Sequence, residues 1–152
     1  MSSHVGVLMG GWSAEREVSL TSGGACALAL RDAGYRVSEI DVDGGLTERL
    51  AELKPDVAFN ALHGRWGEDG CVQGLLELMA LPYTHSGVRA SAVAMHKPSS
   101  LEVFRAHGIP CAESCLTSAD AVNLKDPMER PYVVKPPSEG STFGVRIVQP
   151  GD

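Results

Sequence analysis

Three shortages narrow the reading of this 152-residue sequence: aromatic side chains, long apolar runs and clustered positive charge. Aromatics supply only 5% of the residues, so any core has to be built from aliphatic side chains. No apolar run approaches the roughly 18 residues of a membrane-spanning helix. The segment Val5–Met9, after an N-terminus without basic residues, is too short for the apolar region of a secretory signal. A cytoplasmic protein without a membrane partner is therefore expected. The net charge is −6, and the basic residues are scattered, which disfavours nucleic acid as a partner. The four cysteines, Cys26, Cys71, Cys111 and Cys115, lack the paired spacing of a zinc or redox motif. They read as reduced structural thiols.

What is present is globular. Apolar residues at 43% and charged residues at 21% suit a folded chain long enough to bury a sizeable core. Glycine is abundant at 17 residues without low-complexity tracts, which points to specialised loops.

The first part of the chain alternates strand and helix. Residues 4–9 read as a buried strand ended by Gly10-Gly11. Residues 13–33 follow with helical period, Val18, Thr21, Ala25, Leu28 and Ala29 sharing a face, with Ser13 as N-cap and Gly34 as the stop. A second strand spans 35–42, a short helix 46–53, and a third strand, expected to be central, 56–62. Then come a helix over 70–79, a short fourth strand over 81–84 and a small-residue helix over 87–95. This order predicts an open parallel α/β sheet with right-handed crossovers.

The pattern changes near residues 95–97. Pro98 suits the first position of a helix over 99–107 that carries Leu101, Phe104 and Arg105. Residues 111–117 read as extended and 118–124 as a short helix. Strands PYVVK over 131–135 and VRIVQ over 145–149 enclose a Gly-rich loop. The expected division is an α/β domain over 1–95 and a second domain from 96.

Three segments can carry chemistry. Gly10-Gly11-Trp12-Ser13-Ala14-Glu15-Arg16-Glu17 joins the first strand to the first helix, at the strand end where open α/β sheets bind ligands. Free N–H groups with Glu15 and Glu17 make a bipolar site suited to a zwitterion, or else the acids only complement the helix dipole. Gly23-Gly24 within the helix implies close packing or a weak helix. His63-Gly64-Arg65-Trp66-Gly67-Glu68-Asp69-Gly70 follows the third strand. There His63 can bind a small polar substrate or join Glu68 and Asp69 on a metal, or Arg65 can pair with Glu68 or Asp69 to fix the loop. Lys135 to Gly144 is a strand–loop–strand flap rather than a P-loop. Its backbone, with Ser141 and Thr142, can cover phosphates while Lys135 reaches their oxygens; an exposed hairpin is the plain alternative.

Together these motifs resemble the D-alanine–D-alanine ligase family of the ATP-grasp superfamily. The match runs through GGWSAEREVSL at 10–20 with Ser22-Gly23, HGRWGEDG at 63–70 with Gln73-Gly74 and Leu76-Glu77, LPYTHSGVRASAVAMHK at 81–97 and KPPSEGSTFGV at 135–145. The resemblance implies a Rossmann-like N-terminal domain and the opening of an α+β ATP-grasp central domain. It implies that Glu15 holds the ammonium of the first D-alanine, with Ser19 nearby, and that His63 lines the same site. It implies that Lys97 and Lys135 contact ATP phosphates. Glu139, Gly140, Ser141, Thr142 and Gly144 would form the flap, Ser141 also joining the Glu15 network. The implied reaction activates one D-alanine carboxylate as an acylphosphate, which the amine of a second D-alanine attacks, making D-alanyl-D-alanine for peptidoglycan.

Thr142 stands where the family commonly has a second serine, and His96 where aspartate is common before the lysine. Family members are about twice this length. Mg²⁺ (or Mn²⁺) ligands are expected beyond residue 152, and the chain alone is expected to show no turnover. A homodimer is implied as well. Two other readings share parts of the pattern: another ATP-grasp carboxylate–amine ligase, such as a D-lactate type, and a non-catalytic small-ligand-binding α/β module.

Overall fold

A computed structural model describes residues 2–151. The chain divides into two compact units, Met1–Val93 and Ala94–Asp152.

The first unit is built on strand β1, His4–Gly10, all of it buried. It pairs in parallel with β2 (Arg36–Val42) on one side and β3 (Val57–Asn60) on the other. The sheet order is β2-β1-β3, so the first strand is central and the third is not. Leu81–Thr84 does not form a fourth strand; Tyr83 makes one isolated parallel bridge to Ala58. Alternation along β1 splits the core. Val5, Val7 and Met9 pack with Ala27 of α1 (Arg16–Asp32), whereas Leu8 faces Leu46 and Leu50 of α2 (Leu46–Leu53) and Val72 and Leu76 of α3 (Cys71–Leu78). The result is a layered α/β unit with helices on both sheet faces. Helix α4, Val88–Met95, ends it and enters the second unit.

Two expectations for α1 fail. Its N-cap is Glu15, not Ser13. Its buried stripe is Ser19, Gly23 and Ala27, while Val18 and Leu28 are exposed. The reason is distance. A Cβ on Gly23 would lie 2.6 Å from Met9 Cβ, so α1 sits too close to β1 for larger side chains. Gly24 faces open space and has no such role.

In the second unit, α5 (Lys97–Ala106) starts one residue before Pro98, and the His96 side chain caps it by accepting from the Ser99 N–H. The hydroxyl-to-ring contact of Ser99 and His96 is 2.8 Å. Residues 111–117 form no strand. Ser118 caps α6, Ala119–Leu124, accepting from the Ala121 N–H at 3.2 Å. Strands β4 (Tyr132–Val134) and β5 (Arg146–Val148) form an antiparallel hairpin. Asp126 secures its base by accepting from Arg130 and the Tyr132 hydroxyl. Arg130 first, then Tyr132, hold that carboxyl below the usual aspartate range.

None of the four cysteines is in a disulfide. Cys71 and Cys115 are exposed, which suits no structural role in a core. Among the described residues no helix is long and apolar enough to cross a membrane.

Candidate functional site

The carboxyl ends of β1 and β3 bring the first two sequence motifs together. Helix periodicity aligns Glu15, Ser19 and Ser22 along one side of α1, four and then three residues apart. Ser19 is fully buried. Its hydroxyl accepts from the Gly10 N–H at 2.9 Å and donates to the Ala61 carbonyl at 2.7 Å. It therefore ties the ends of two strands to the helix, with both hydrogen-bonding roles spent on backbone.

Ser22 reaches the ring of His63, Oγ to Nε2 2.9 Å, and donates to the Ser19 carbonyl at 3.3 Å. With that donation made, the Ser22 oxygen suits a proton on His63 Nε2. Ser13 donates to the His63 carbonyl at 2.7 Å, so the ring and backbone of His63 are both held from the α1 side. Glu15 is half-buried and faces the same loop: a Cβ on Gly64 would lie 2.8 Å from Glu15 Oε2. The carboxylate has no hydrogen bond or ion pair with any described residue. Its neighbour Arg16 instead grips Asp41 through two contacts of 2.7 and 2.6 Å, and holds that carboxyl below its usual range. A carboxylate left open against the loop that carries His63 is an arrangement for a cationic ligand group.

The loop after β3 is held differently from either structural reading of its charges. Glu68 accepts from the Gly64 N–H, and Asp69 accepts from the Trp66 and Cys71 N–H groups at 2.9 and 3.1 Å. Arg65 pairs with neither acid; its guanidinium lies over the Trp66 ring, 4.6 Å from the centroid. His63, Glu68 and Asp69 do not converge, and among the described residues no group of His, Cys, Asp and Glu is arranged to hold a metal. Two buried amides complete the frame: Asn60 and Gln73 both donate to the Gly67 carbonyl, at 2.9 and 2.8 Å. Ser22, Asn60 and Gln73 carried no predicted role, and Ser13 only that of a helix N-cap. The spacing of Ser22 from Glu15, two helical turns on one face, is the one signal that could have found it.

Burial alone would push the Asp69 carboxyl up, but hydrogen bonds from the Trp66 and Cys71 N–H groups, the Cys71 thiol and its own N–H together outweigh it, and the group lies below its ordinary value. A depressed carboxylate contributes its stability fully above the unfolded-state value of about 3.9, and that contribution is lost as pH falls through the folded value. Asp69→Asn is therefore expected to be less stable near neutrality, with the gap to wild type narrowing below about pH 4. Urea unfolding across pH reads this, and a gap that stays constant would remove the Asp69 charge as its cause.

In the second unit the predicted phosphate-contacting residues lie on and beside the hairpin. Lys97 Nζ donates to the Glu139 carbonyl at 2.6 Å, and the Lys97 N–H donates to the Pro137 carbonyl at 2.9 Å, so the start of α5 is bound to the flap. Lys135, at the end of β4, is exposed. Ser141, Thr142 and Gly144 are exposed at the turn, with Ser141 at φ 52° and Gly144 at φ 66°. Turn hydrogen bonds run from the Phe143 N–H to Gly140 and from the Val145 N–H to Thr142.

Comparison with known proteins gives one answer at each level. The family model described as D-ala D-ala ligase N-terminus matches residues 45–86. A D-alanine–D-alanine ligase of Parvibaculum lavamentivorans is 62% identical over 151 residues, covering 99% of this chain and 49% of the relative. One from Cereibacter sphaeroides is 60% identical, covering 95% of this chain and 47% of the relative. The chain thus spans about half the length of the curated relatives it matches. The crystal structure of the D-alanine–D-alanine ligase from Bacillus anthracis superposes with a TM-score of 0.79 at 34% identity, covering 97% of this chain and 50% of that one. A structure of the same enzyme complexed with ATP gives 0.77 at 32% identity, with the same coverage. In sequence and in fold, this chain is similar to about half of a D-alanine–D-alanine ligase, and residues 45–86 match the model of that family's N-terminus.

Proposed function

We propose that a protein carrying this chain is a cytoplasmic, ATP-dependent and ADP-forming ligase that joins two D-alanines for peptidoglycan synthesis, as a homodimer. The observation that carries the proposal is the unpaired, half-buried carboxylate of Glu15 facing Gly64, next in sequence to the fixed His63, in a chain with this degree of likeness to named D-alanine–D-alanine ligases. In this reading residues 1–95 form the substrate-binding domain and residues 96–152 open the ATP-binding one. Glu15 takes the ammonium of the first D-alanine, His63 lines its site, and Ser19 supports both by fixing the strand ends.

The hairpin residues suit a triphosphate. An exposed turn with two residues in the left-handed region suits an anion, a cation sits at the strand end, and a second lysine is held against the flap. Lys97, Lys135 and the flap from Glu139 through Gly140, Ser141, Thr142 and Gly144 would hold ATP, which when bound supplies the phosphoryl group that activates a carboxylate. The described residues assemble no cation site, so none of them is assigned to Mg²⁺ or Mn²⁺.

The direct test is ADP release by the full-length protein as D-alanine is added. Strict dependence on D-alanine is expected, and Lys135→Ala is expected to lower kcat/KM for ATP by about 100-fold, the effect of removing one charged phosphate contact. ADP release indifferent to D-alanine, or an unimpaired Lys135→Ala protein, would sink the proposal.

A further inference from the structure

Adjoining Glu15, the first unit holds a cavity of about 230 Å³ at the carboxyl ends of β1 and β2, and Ser13 and His63 of the candidate site also line it, tied to each other and to Ser22. Neither Glu15 nor Ser22 lines it. Its walls are apolar and aromatic: Leu46, Leu62, Val72 and Leu75, with Trp12 and Trp66 in an edge-to-face pair, centroids 5.8 Å apart at 75°. Such walls favour a flat, apolar molecule.

The polar groups of the cavity select the sign of its charge. Asp43 lines it, but its carboxylate is occupied by Arg49 and the Gly45 N–H. The Thr47 hydroxyl donates to Glu48. Partial desolvation first, then Asp69, push the Cys71 thiol up. Arg65 alone among the charged lining groups has no acidic partner or hydrogen bond within the described residues, and its guanidinium rests on Trp66. An apolar slot with one uncompensated guanidinium complements an aromatic ring that bears an anion.

We propose that this cavity is a binding site for a small aromatic carboxylate, its ring against the tryptophan pair and its carboxylate on Arg65. This goes beyond the ligase reading, since it needs neither ATP nor D-alanine, and it would stand if that reading failed.

The chain contains two tryptophans, both in the cavity wall, so their indole N–H signals in a ¹H–¹⁵N spectrum report occupancy directly. The probe is 2-naphthoate, with 2-naphthylmethylammonium as the cation of similar shape. Saturable shifts of both indole signals are expected with 2-naphthoate, with a Kd on the order of 0.1–1 mM for a ligand of this size. The cation should bind at least about tenfold more weakly. Arg65→Gln, at an exposed position, should weaken 2-naphthoate about tenfold without affecting the cation. Leu75→Phe, which fills the cavity, should abolish binding of both. The proposal fails if the indole signals do not move up to about 10 mM probe, if the cation binds as well as the anion, or if Arg65→Gln leaves 2-naphthoate binding unchanged.

Discussion

Glu15→Gln in the full-length protein is expected to reduce kcat/KM for D-alanine by about 10³-fold while changing KM for ATP less than about threefold. The substitution keeps the size of the side chain and one carbonyl acceptor, so packing at the start of α1 survives. What disappears is the charge. A half-buried carboxylate without a protein partner can accept a charge-assisted hydrogen bond from an ammonium, roughly twice as strong as a neutral one. The Gln amide would instead direct N–H donors or a neutral oxygen at that ammonium. Losing such a pair at a partly desolvated site costs about 4 kcal/mol, which is the expected rate effect. Steady-state kinetics with each substrate varied in turn, beside a thermal melt, separates this from misfolding. A variant within about threefold of wild type in D-alanine would dismiss Glu15 as the ammonium partner.

Gly23→Val is expected to destabilise the first unit by about 3 kcal/mol or more, the upper part of the range for overpacking. Even one added carbon would lie 2.6 Å from Met9 Cβ, and Met9 belongs to the central strand, paired on both sides and unable to retreat. The helix would have to lift from the sheet, weakening the Ser19 ties to Gly10 and Ala61. Its neighbour supplies the control. Gly24 meets nothing within 4 Å, so Gly24→Ala is expected to raise stability by up to about 1 kcal/mol through helix propensity. Urea midpoints of the two variants should move in opposite directions. A Gly23→Val protein as stable as wild type would mean that α1 does not approach β1 this closely.

These two glycines show where sequence reasoning ran out. Adjacent and identical in type, they invited one explanation, and only Gly23 needed it. The apolar face read along α1 failed for the same reason. Val18 and Leu28 looked like core residues because they are hydrophobic, yet the contact to the sheet is made by Ser19, Gly23 and Ala27, whose virtue is small volume. Periodicity detects hydrophobic stripes, and a helix packed at very short range has no room for one.

The loop after β3 followed a similar course. Four charged or titratable side chains in eight residues suggested ion pairs or a metal, but the acids satisfy backbone N–H groups. That frees Arg65 for Trp66 and leaves His63 to Ser22 and Ser13. Backbone donors in a tight Gly-rich loop are invisible to a reading of side-chain charge.

The sequence by itself determined the alternating strand–helix order, the helix stops, the hairpin and the motifs that place the chain beside its relatives, because turn chemistry and hydrophobic period are local properties. The tertiary structure decided that β1 and not β3 is central, that small residues form the buried face of α1, that Glu15 stands unpaired across from Gly64, and that Arg65 guards a cavity without an acidic partner. Each of those depends on distances between residues far apart in the chain. The shortage of aromatic residues noted at the outset also acquires a location: both tryptophans meet in the wall of one cavity, while the buried core of the first unit is filled by Leu, Ile, Val, Ala and Met9.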